Sequence, residues 1–185
     1  MPERMDEVER ALRDAVTEMP YCSVSVKLLC ERAGITRKAF YKRFGGKGDV
    51  LRAVFERDVV SPEVELIELM SFEKMRTRAE KMEERMFQSV RDDGEFYRAL
   101  VAAPQGGRGA FMEAAVGSFY DFNLMLLEKT NFKGDPWQLG YVASFYANAK
   151  ARVILDWIEG GFEVPVEDVS RLYSRMALPF WRSLA

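Results

Sequence analysis

The sequence has no histidine among its 185 residues and only two cysteines, Cys22 and Cys30. Histidine is the commonest metal ligand and the commonest general acid or base, so its absence argues against a transition-metal site and against most acid–base enzymes. The spacing of the two cysteines fits no common zinc or redox motif, and we expect both thiols to be reduced. We therefore predict a protein that is not an enzyme and holds no metal or cofactor.

Long apolar runs are missing as well. No segment approaches the roughly 20 residues that a membrane span needs, and the first ten residues are charged and lack the apolar stretch of a signal peptide. Apolar residues still make up 48% of the chain and charged residues 30%, which suits a globular protein with a real core. We expect a cytoplasmic protein that does not bind membranes.

Strand signals are also absent, because the chain shows neither sustained alternation nor an Asn-Gly or Asp-Gly hairpin turn. Apolar residues recur instead at helical spacing, which predicts an all-α fold. A first helix is expected to stop at Pro20, and Gly34 to end a second one in a left-handed conformation. Ser61-Pro62 predicts a helix restart. Asp135-Pro136-Trp137-Gln138 predicts a capping box.

The charges are distributed unevenly, although the net charge is only −2. Eight cationic and two anionic side chains lie between Lys27 and Arg52, whereas the chain from Ser61 onward has 15 basic and 19 acidic residues. A basic patch on an otherwise acidic protein is typical of nucleic-acid binding, but it is also found on an ordinary solvated helix face. Charge alone does not decide between these two interpretations.

The spacing of aromatic residues favours the first interpretation. Phe40 and Phe44 are four apart, so they lie on one face of a short helix that Thr36 can cap. The cations and Tyr41 fall on the remaining arc. A helix of about nine residues is marginal alone and must dock on its predecessor across the Gly34 turn, which is the arrangement of a helix-turn-helix.

Each polar residue of this unit has an expected role. Arg37 and Lys38 are near the helix start and can reach base edges, whereas the other cations and Tyr41 are better placed for phosphates. Ser25 and Thr36 lie at helix N-termini, where backbone N–H groups attract phosphate oxygens. The candidate DNA-binding residues are Ser25, Lys27, Thr36, Arg37, Lys38, Tyr41, Lys42, Arg43 and Lys47.

The stretch from Ser25 to Leu51 resembles the N-terminal DNA-binding domain of TetR-type transcriptional regulators. The matching residues are Ser25-Val26-Lys27, Leu29-Cys30, Ala33-Gly34-Ile35-Thr36, Ala39-Phe40-Tyr41, Phe44, Lys47 and Val50. Three departures stand out: Lys38 replaces a small residue, Ala39 replaces a frequent threonine, and the segment 45–49 is unusually rich in glycine. The extra glycines predict a looser start of the fourth helix.

The resemblance implies a DNA-binding domain with its linking helix over residues 1–60, and a helical effector-binding and dimerisation domain over residues 61–185. It implies a homodimeric regulator, expected to be a repressor, that binds a palindromic operator on double-stranded DNA and responds to a small apolar or amphipathic effector. The candidate pocket residues are Met86, Phe87, Phe119, Phe122, Phe145, Tyr146 and Asn148. The candidate dimer-interface residues are Trp157, Leu172, Met176 and Phe180.

Two alternatives stay open at this point. A regulator of the same type could act as an activator, or could respond to a protein partner in place of a small molecule. A small helical enzyme is more remote; its only candidate acid pairs are Glu83-Glu84 and Asp92-Asp93, and their charged surroundings favour a solvated face.

Overall fold

A computed structural model of the chain describes residues 3–102, 107–130, 132 and 134–183, without the side chains of residues 3–5, 72, 75, 76, 178 and 180–183. The described residues contain helices and no strand, so the all-α prediction is confirmed. The α-helices are α1 (Glu3–Glu18), α2 (Val26–Arg32), α3 (Arg37–Tyr41), α4 (Lys47–Phe55), α5 (Ser61–Glu68), α6 (Phe72–Asp92), α7 (Gly94–Ala102), α8 (Gly107–Lys129), α9 (Pro136–Glu159) and α10 (Val166–Ser183).

Local side-chain chemistry sets the ends of the short helices. The Ser25 hydroxyl accepts a hydrogen bond from the Leu28 N–H at 3.1 Å and begins α2. Gly34, with a φ of 61°, ends that helix, as the sequence predicts, in a conformation that side chains disfavour. The capping box at the start of α9 is also confirmed, with both Asp135 and Gln138 in their reciprocal roles.

An α-helix begins at Ser61 with Pro62 in its first turn, as predicted, but no break in helical structure precedes it. A π-helical segment, Glu56–Val60, joins α4 to α5, and Ser61 itself has helical dihedrals of −57° and −39°. The reason lies in Pro62, which has no N–H to donate and whose ring would crowd the carbonyl four residues earlier. A widened turn just before Pro62 accommodates it without ending the helix. Helical structure is therefore continuous from Lys47 to Glu68.

Aromatic rings fasten this long helical run to the second half of the chain. The Phe55 ring of α4 meets the rings of Tyr97 on α7, Phe111 and Phe119 edge-on, at centroid distances of 6.3, 5.9 and 5.3 Å. All four side chains are buried in one core that extends from α1 to α10. The last helix of the basic patch, α4, is thus packed directly on α7 and α8.

The remaining helices pack in pairs. The helices α8 and α9 lie along each other, and α10 packs along α6. The rings of Phe87 and Trp157 approach to 5.8 Å and those of Phe87 and Tyr173 to 6.1 Å, so α6, α9 and α10 share one core. None of the described helices is both long enough and apolar enough to cross a membrane.

Candidate nucleic-acid interface

The turn between α2 and α3 is built almost entirely from backbone hydrogen bonds. The Ile35 N–H donates to the Cys30 carbonyl at 3.0 Å, closing the turn around Gly34. The Thr36 hydroxyl then accepts from the Ala39 N–H at 3.2 Å and begins α3. The helix itself is only five residues long, but the Phe44 N–H still donates to the Phe40 carbonyl at 3.0 Å, which extends the helical turn.

The core side of α3 consists of Phe40 and Phe44, whose rings lie 5.4 Å apart and are almost fully buried. Burying two phenylalanine side chains contributes several kcal/mol, roughly 1.5–3 each, which a helix this short needs to stay docked. The opposite side is therefore fixed in its orientation toward solvent.

Four side chains share that outer side. Arg37, Lys38 and Lys42 are exposed, and none of them forms an ion pair with any described residue. Tyr41 is 57% exposed and stacks edge-on against Phe40 at 5.3 Å. Three unneutralised cations beside a solvent-facing phenol form an electropositive surface that suits phosphates and base edges.

The other predicted DNA contacts lie around this surface with different surroundings. The hydroxyls of Ser25 and Thr36 are exposed, but both already cap their helices. Lys27 is exposed and has its Nζ 3.7 Å from a carboxylate oxygen of Glu31. Arg43 is exposed and lies over the Phe44 ring at 5.8 Å.

Lys47 is oriented differently from the expected phosphate-facing lysine. Its Nζ donates to the carbonyls of Tyr21 at 2.7 Å and Val24 at 2.9 Å, and it lies 3.3 Å from that of Cys22. The ammonium also lies 4.3 Å from the centroid of the Tyr21 ring. Burial lowers the pKa of Lys47. This lysine connects the start of α4 to the loop between α1 and α2.

The glycine-rich segment before α4 is also held more firmly than the sequence suggests. The Gly45 N–H donates to the Asp49 carboxylate at 2.6 Å. This bond ties the segment before α4 to its first turn, and the Lys47 ammonium ties the same turn to the loop between α1 and α2. The expectation of a loose start is therefore not met.

The candidate pocket residues do not line one cavity. Met86, Phe87, Phe119 and Phe122 are core side chains, with exposures of 4% or less. Phe145 is 67% exposed and Asn148 is exposed, with its amide donating to the Ser144 carbonyl at 2.8 Å. Tyr146 is half-buried. The sequence places Phe145, Tyr146 and Asn148 on one helix. It cannot show that Phe145 and Asn148 lie on the solvent-facing side of that helix.

A cleft of about 260 Å³ lies elsewhere, between the π-helical segment with α5 on one side and α8 on the other. It includes only Phe122 from the predicted set. Its lining residues are Glu56, Val60, Ser61, Val64, Ser118, Asp121, Phe122 and Met125.

A buried cation was missed by the sequence reasoning. Lys150 is 2% exposed, and its Nζ lies 2.9 Å from both carboxylate oxygens of Glu83. The rings of Phe119, Tyr173 and Phe122 surround the ammonium at 4.8, 5.2 and 5.7 Å. The available signal was a lone lysine on the otherwise apolar stripe of α9, between Ala147 and Ala151.

The candidate dimer interface is partly corrected. Trp157 is only 5% exposed and donates from Nε1 to the Val164 carbonyl at 2.7 Å, so it belongs to the core. Leu172 and Met176 are exposed on α10, and the Phe180 side chain lies outside the described residues. The large exposed aromatic residues of α9 are Trp137, Tyr141 and Phe145, one helical turn apart, at 63%, 75% and 67% exposure.

In the two acid pairs considered for an enzyme, each carboxylate interacts with a different partner. Glu83 pairs with Lys150, and Glu84 pairs with Lys81 at 2.7 Å. Asp92 accepts a hydrogen bond from Gln88, and Asp93 pairs with Arg13. Neither pair presents two carboxylates to a common cavity among the described residues.

Comparison with known proteins agrees with this geometry. The family described as "Bacterial regulatory proteins, tetR family" matches residues 11–54, the span from α1 to α4. No curated protein matches the chain.

Three solved structures share the fold across nearly the whole chain. A protein described as a TetR-family transcriptional regulator from Syntrophomonas wolfei str. Goettingen is 15% identical, with a TM-score of 0.61 over 99% of this chain and 95% of its own. A TetR-family transcriptional regulator from Streptomyces coelicolor is 18% identical, with a TM-score of 0.55 over 100% and 81%. The dihydroxyacetone kinase operon activator DhaS is 16% identical, with a TM-score of 0.54 over 97% of both chains.

At such identities the structures support the fold, whereas the family match over α1–α4 addresses the DNA-binding unit itself. The match and the exposed cations of α3 concern the same residues. Residues 11–54, which contain the helix-turn-helix, therefore match the TetR family of bacterial regulatory proteins, and the whole chain shares the fold of TetR-family transcriptional regulators.

Proposed function

We propose that this regulator binds a roughly palindromic operator as a homodimer and represses transcription until a small amphipathic effector releases it. The observation that carries the proposal is the outer side of α3, where Arg37, Lys38 and Lys42 remain without an ion pair among the described residues. Phosphates and base edges supply the missing partners.

Within this proposal the side chains have distinct tasks. Arg37 and Lys38, at the start of α3, reach base edges in the major groove and supply sequence preference. Lys42, Tyr41, Lys27 and Arg43 contact phosphates and set the register on the duplex, as do the backbone N–H groups that follow Ser25 and Thr36. Lys47 positions α4, since carbonyls surround its ammonium.

Dimerisation would use the outer faces of α9 and α10. Trp137, Tyr141 and Phe145 on α9, with Leu172 and Met176 on α10, are large apolar side chains left exposed. Aromatic residues and methionine are enriched in the centres of protein interfaces. Two copies related by a two-fold axis would present two α3 helices to successive major grooves, which is why a palindromic operator is expected.

The dimer face is tested by charge substitution. Tyr141→Glu or Leu172→Glu should raise the dimer dissociation constant at least about tenfold in sedimentation equilibrium, because the glutamate would be desolvated in the interface. Leu69→Glu is the control for adding a charge, since Leu69 is 86% exposed and belongs to neither α9 nor α10. Equal dissociation constants for all three variants and the wild type would place the interface elsewhere.

We further propose that residues 1–60 form the DNA-binding part and residues 61–185 the part that dimerises and receives the effector. Support comes from the segregation of features, with the cations on α3, the apolar faces on α9 and α10, and the cleft where the π-helical segment meets α5 and α8. The two parts would act as one body, because the helical run from Lys47 to Glu68 passes through the boundary.

Activation is the second candidate, and one observation favours it: a solved structure with this fold is described as an operon activator. In vitro transcription from the promoter beside the gene decides the sign. A repressor lowers run-off transcript as protein is added, whereas an activator raises it. A change that appears only when a second protein is supplied would favour control by a protein partner.

The core of the proposal is tested by a mobility shift with the DNA flanking the gene. Wild-type protein should shift this duplex at low salt, and should lose at least about a hundredfold in affinity between 50 and 200 mM salt if several phosphates are contacted. Absence of salt-dependent binding to any flanking segment would contradict it.

A further inference from the structure

The cleft between the π-helical segment and α8 is lined by both polar and apolar side chains. Val60 and Val64 come from one wall, and Phe122 and Met125 from the other. Glu56 and Asp121 line the same space and are the two titratable side chains that do so. Such a combination of an apolar enclosure with a few convergent polar groups is typical of a small-molecule site.

The carboxylates of this cleft are only partly satisfied. Arg52 donates from Nε to Glu56 Oε1 at 2.7 Å and from Nη2 to Asp121 Oδ2. The Ser118 hydroxyl lies 3.3 Å from the same Glu56 oxygen. Glu56 Oε2 and Asp121 Oδ1 accept no hydrogen bond from a described residue. Two carboxylates against one guanidinium leave this group of three side chains with a net negative charge.

We propose that this cleft binds a small amphipathic cation, with its apolar body against Phe122 and Met125 and its ammonium between Glu56 and Asp121. An anionic ligand would meet like charge here, and a neutral one would form no charge-assisted hydrogen bond with the two carboxylates. The proposal specifies the effector of the proposed function and therefore rests on it.

The position of the site explains how such a ligand could influence DNA binding. Glu56 opens the π-helical segment, and the next two residues, Arg57 and Asp58, pair with Glu9 and Arg13 of α1. Arg52 lies on α4, one turn before Glu56. An ammonium that competes with Arg52 for Glu56 and Asp121 would loosen the ion pair between α4 and α8. This competition would supply the differential contact that a ligand needs in order to shift an equilibrium.

Isothermal titration of the full chain with three matched probes tests the site. Phenylbutylammonium should bind at least about tenfold more tightly than phenylbutanol or phenylbutanoate, which share its apolar body but differ in charge. Asp121→Asn and Glu56→Gln should each weaken the ammonium by about three- to tenfold. Asp156→Asn, which removes an exposed carboxylate on α9 paired with Arg152, should leave its affinity unchanged.

Equal affinities for the three probes, or unchanged ammonium binding in both cleft variants, would overturn the proposal. DNA affinity is measured separately with and without the ammonium. Binding of the ammonium that depends on Asp121 supports the cleft even if DNA affinity does not respond, in which case the proposed effector control is what fails. Salt-dependent DNA binding without ammonium binding refutes the cleft alone.

Discussion

Cations are used in opposite ways on α3 and in the helices behind it. On α3, Arg37, Lys38 and Lys42 are exposed and lack an ion pair among the described residues. In the helices behind it, Lys150 is buried against Glu83, and Arg85 holds the buried Glu63 through two bonds of 2.7 and 2.6 Å. Paired cations stabilise the fold, whereas the cluster of three unpaired cations on one side of α3 indicates where an external anion binds.

Removing a buried cation gives the largest expected effect. Lys150→Met leaves the Glu83 carboxylate without a partner among aromatic rings, and we expect a loss of about 3–5 kcal/mol in the free energy of unfolding by urea denaturation. Arg171→Met, which breaks an exposed pair with Asp168, should cost less than about 1 kcal/mol. Similar losses for the two variants would remove the distinction between buried and exposed pairs.

Removing an exposed cation of α3 should weaken DNA binding and leave the stability of the fold unchanged. Arg37→Ala should cost about 1–3 kcal/mol of binding free energy at particular base positions, with the melting temperature unchanged. Arg175→Ala on α10 is the control, being an exposed arginine away from α3. Fluorescence anisotropy with a set of single-base operator variants measures this effect. A uniform loss across all variants would identify Arg37 as a phosphate contact.

A substitution at Lys47 tests, within the DNA-binding unit, whether a cation stabilises the fold or binds DNA. Lys47→Met removes the hydrogen bonds to the carbonyls of Tyr21 and Val24 and should lower the free energy of unfolding by about 1–2 kcal/mol. The salt dependence of DNA binding should then stay as in the wild type. If the slope of log affinity against log salt falls by about one without a loss of stability, Lys47 instead contacts a phosphate.

The smallest effect concerns the turn that orients α3. Gly34→Ala introduces a side chain at a φ of 61°, and we expect a cost of about 1 kcal/mol in thermal unfolding. Gly46→Ala is the matched control, since Gly46 has an extended φ of −175° and open space around it. A cost for Gly46→Ala as large as that for Gly34→Ala would assign the loss to something other than backbone conformation.

Local features of the DNA-binding unit could be predicted from the sequence because the groups involved are close along the chain. The Ser25 and Thr36 caps each depend on an N–H three residues away, and Phe40 and Phe44 are one turn apart. Lys47 could not be placed in this way, since the carbonyls it binds lie 23 to 26 residues earlier.

In the C-terminal helices, buried and exposed side chains are harder to predict because the sequence is apolar on several faces of each helix. Trp157 and Phe145 look equally suited to a core or an interface, and only tertiary packing shows that the first is buried and the second exposed. The cleft combines Glu56 with Asp121, which are 65 positions apart in the chain. No spacing rule connects residues at that distance.

The salt dependence of DNA binding tests the central claim most directly. The triple variant Arg37→Gln, Lys38→Gln, Lys42→Gln is compared with Arg171→Gln, Arg175→Gln, which removes exposed cations from α10. If the unpaired cations of α3 hold the duplex, the slope of log affinity against log salt falls by at least about one in the triple variant and stays at the wild-type value in the control. Equal slopes in all three proteins would contradict the account.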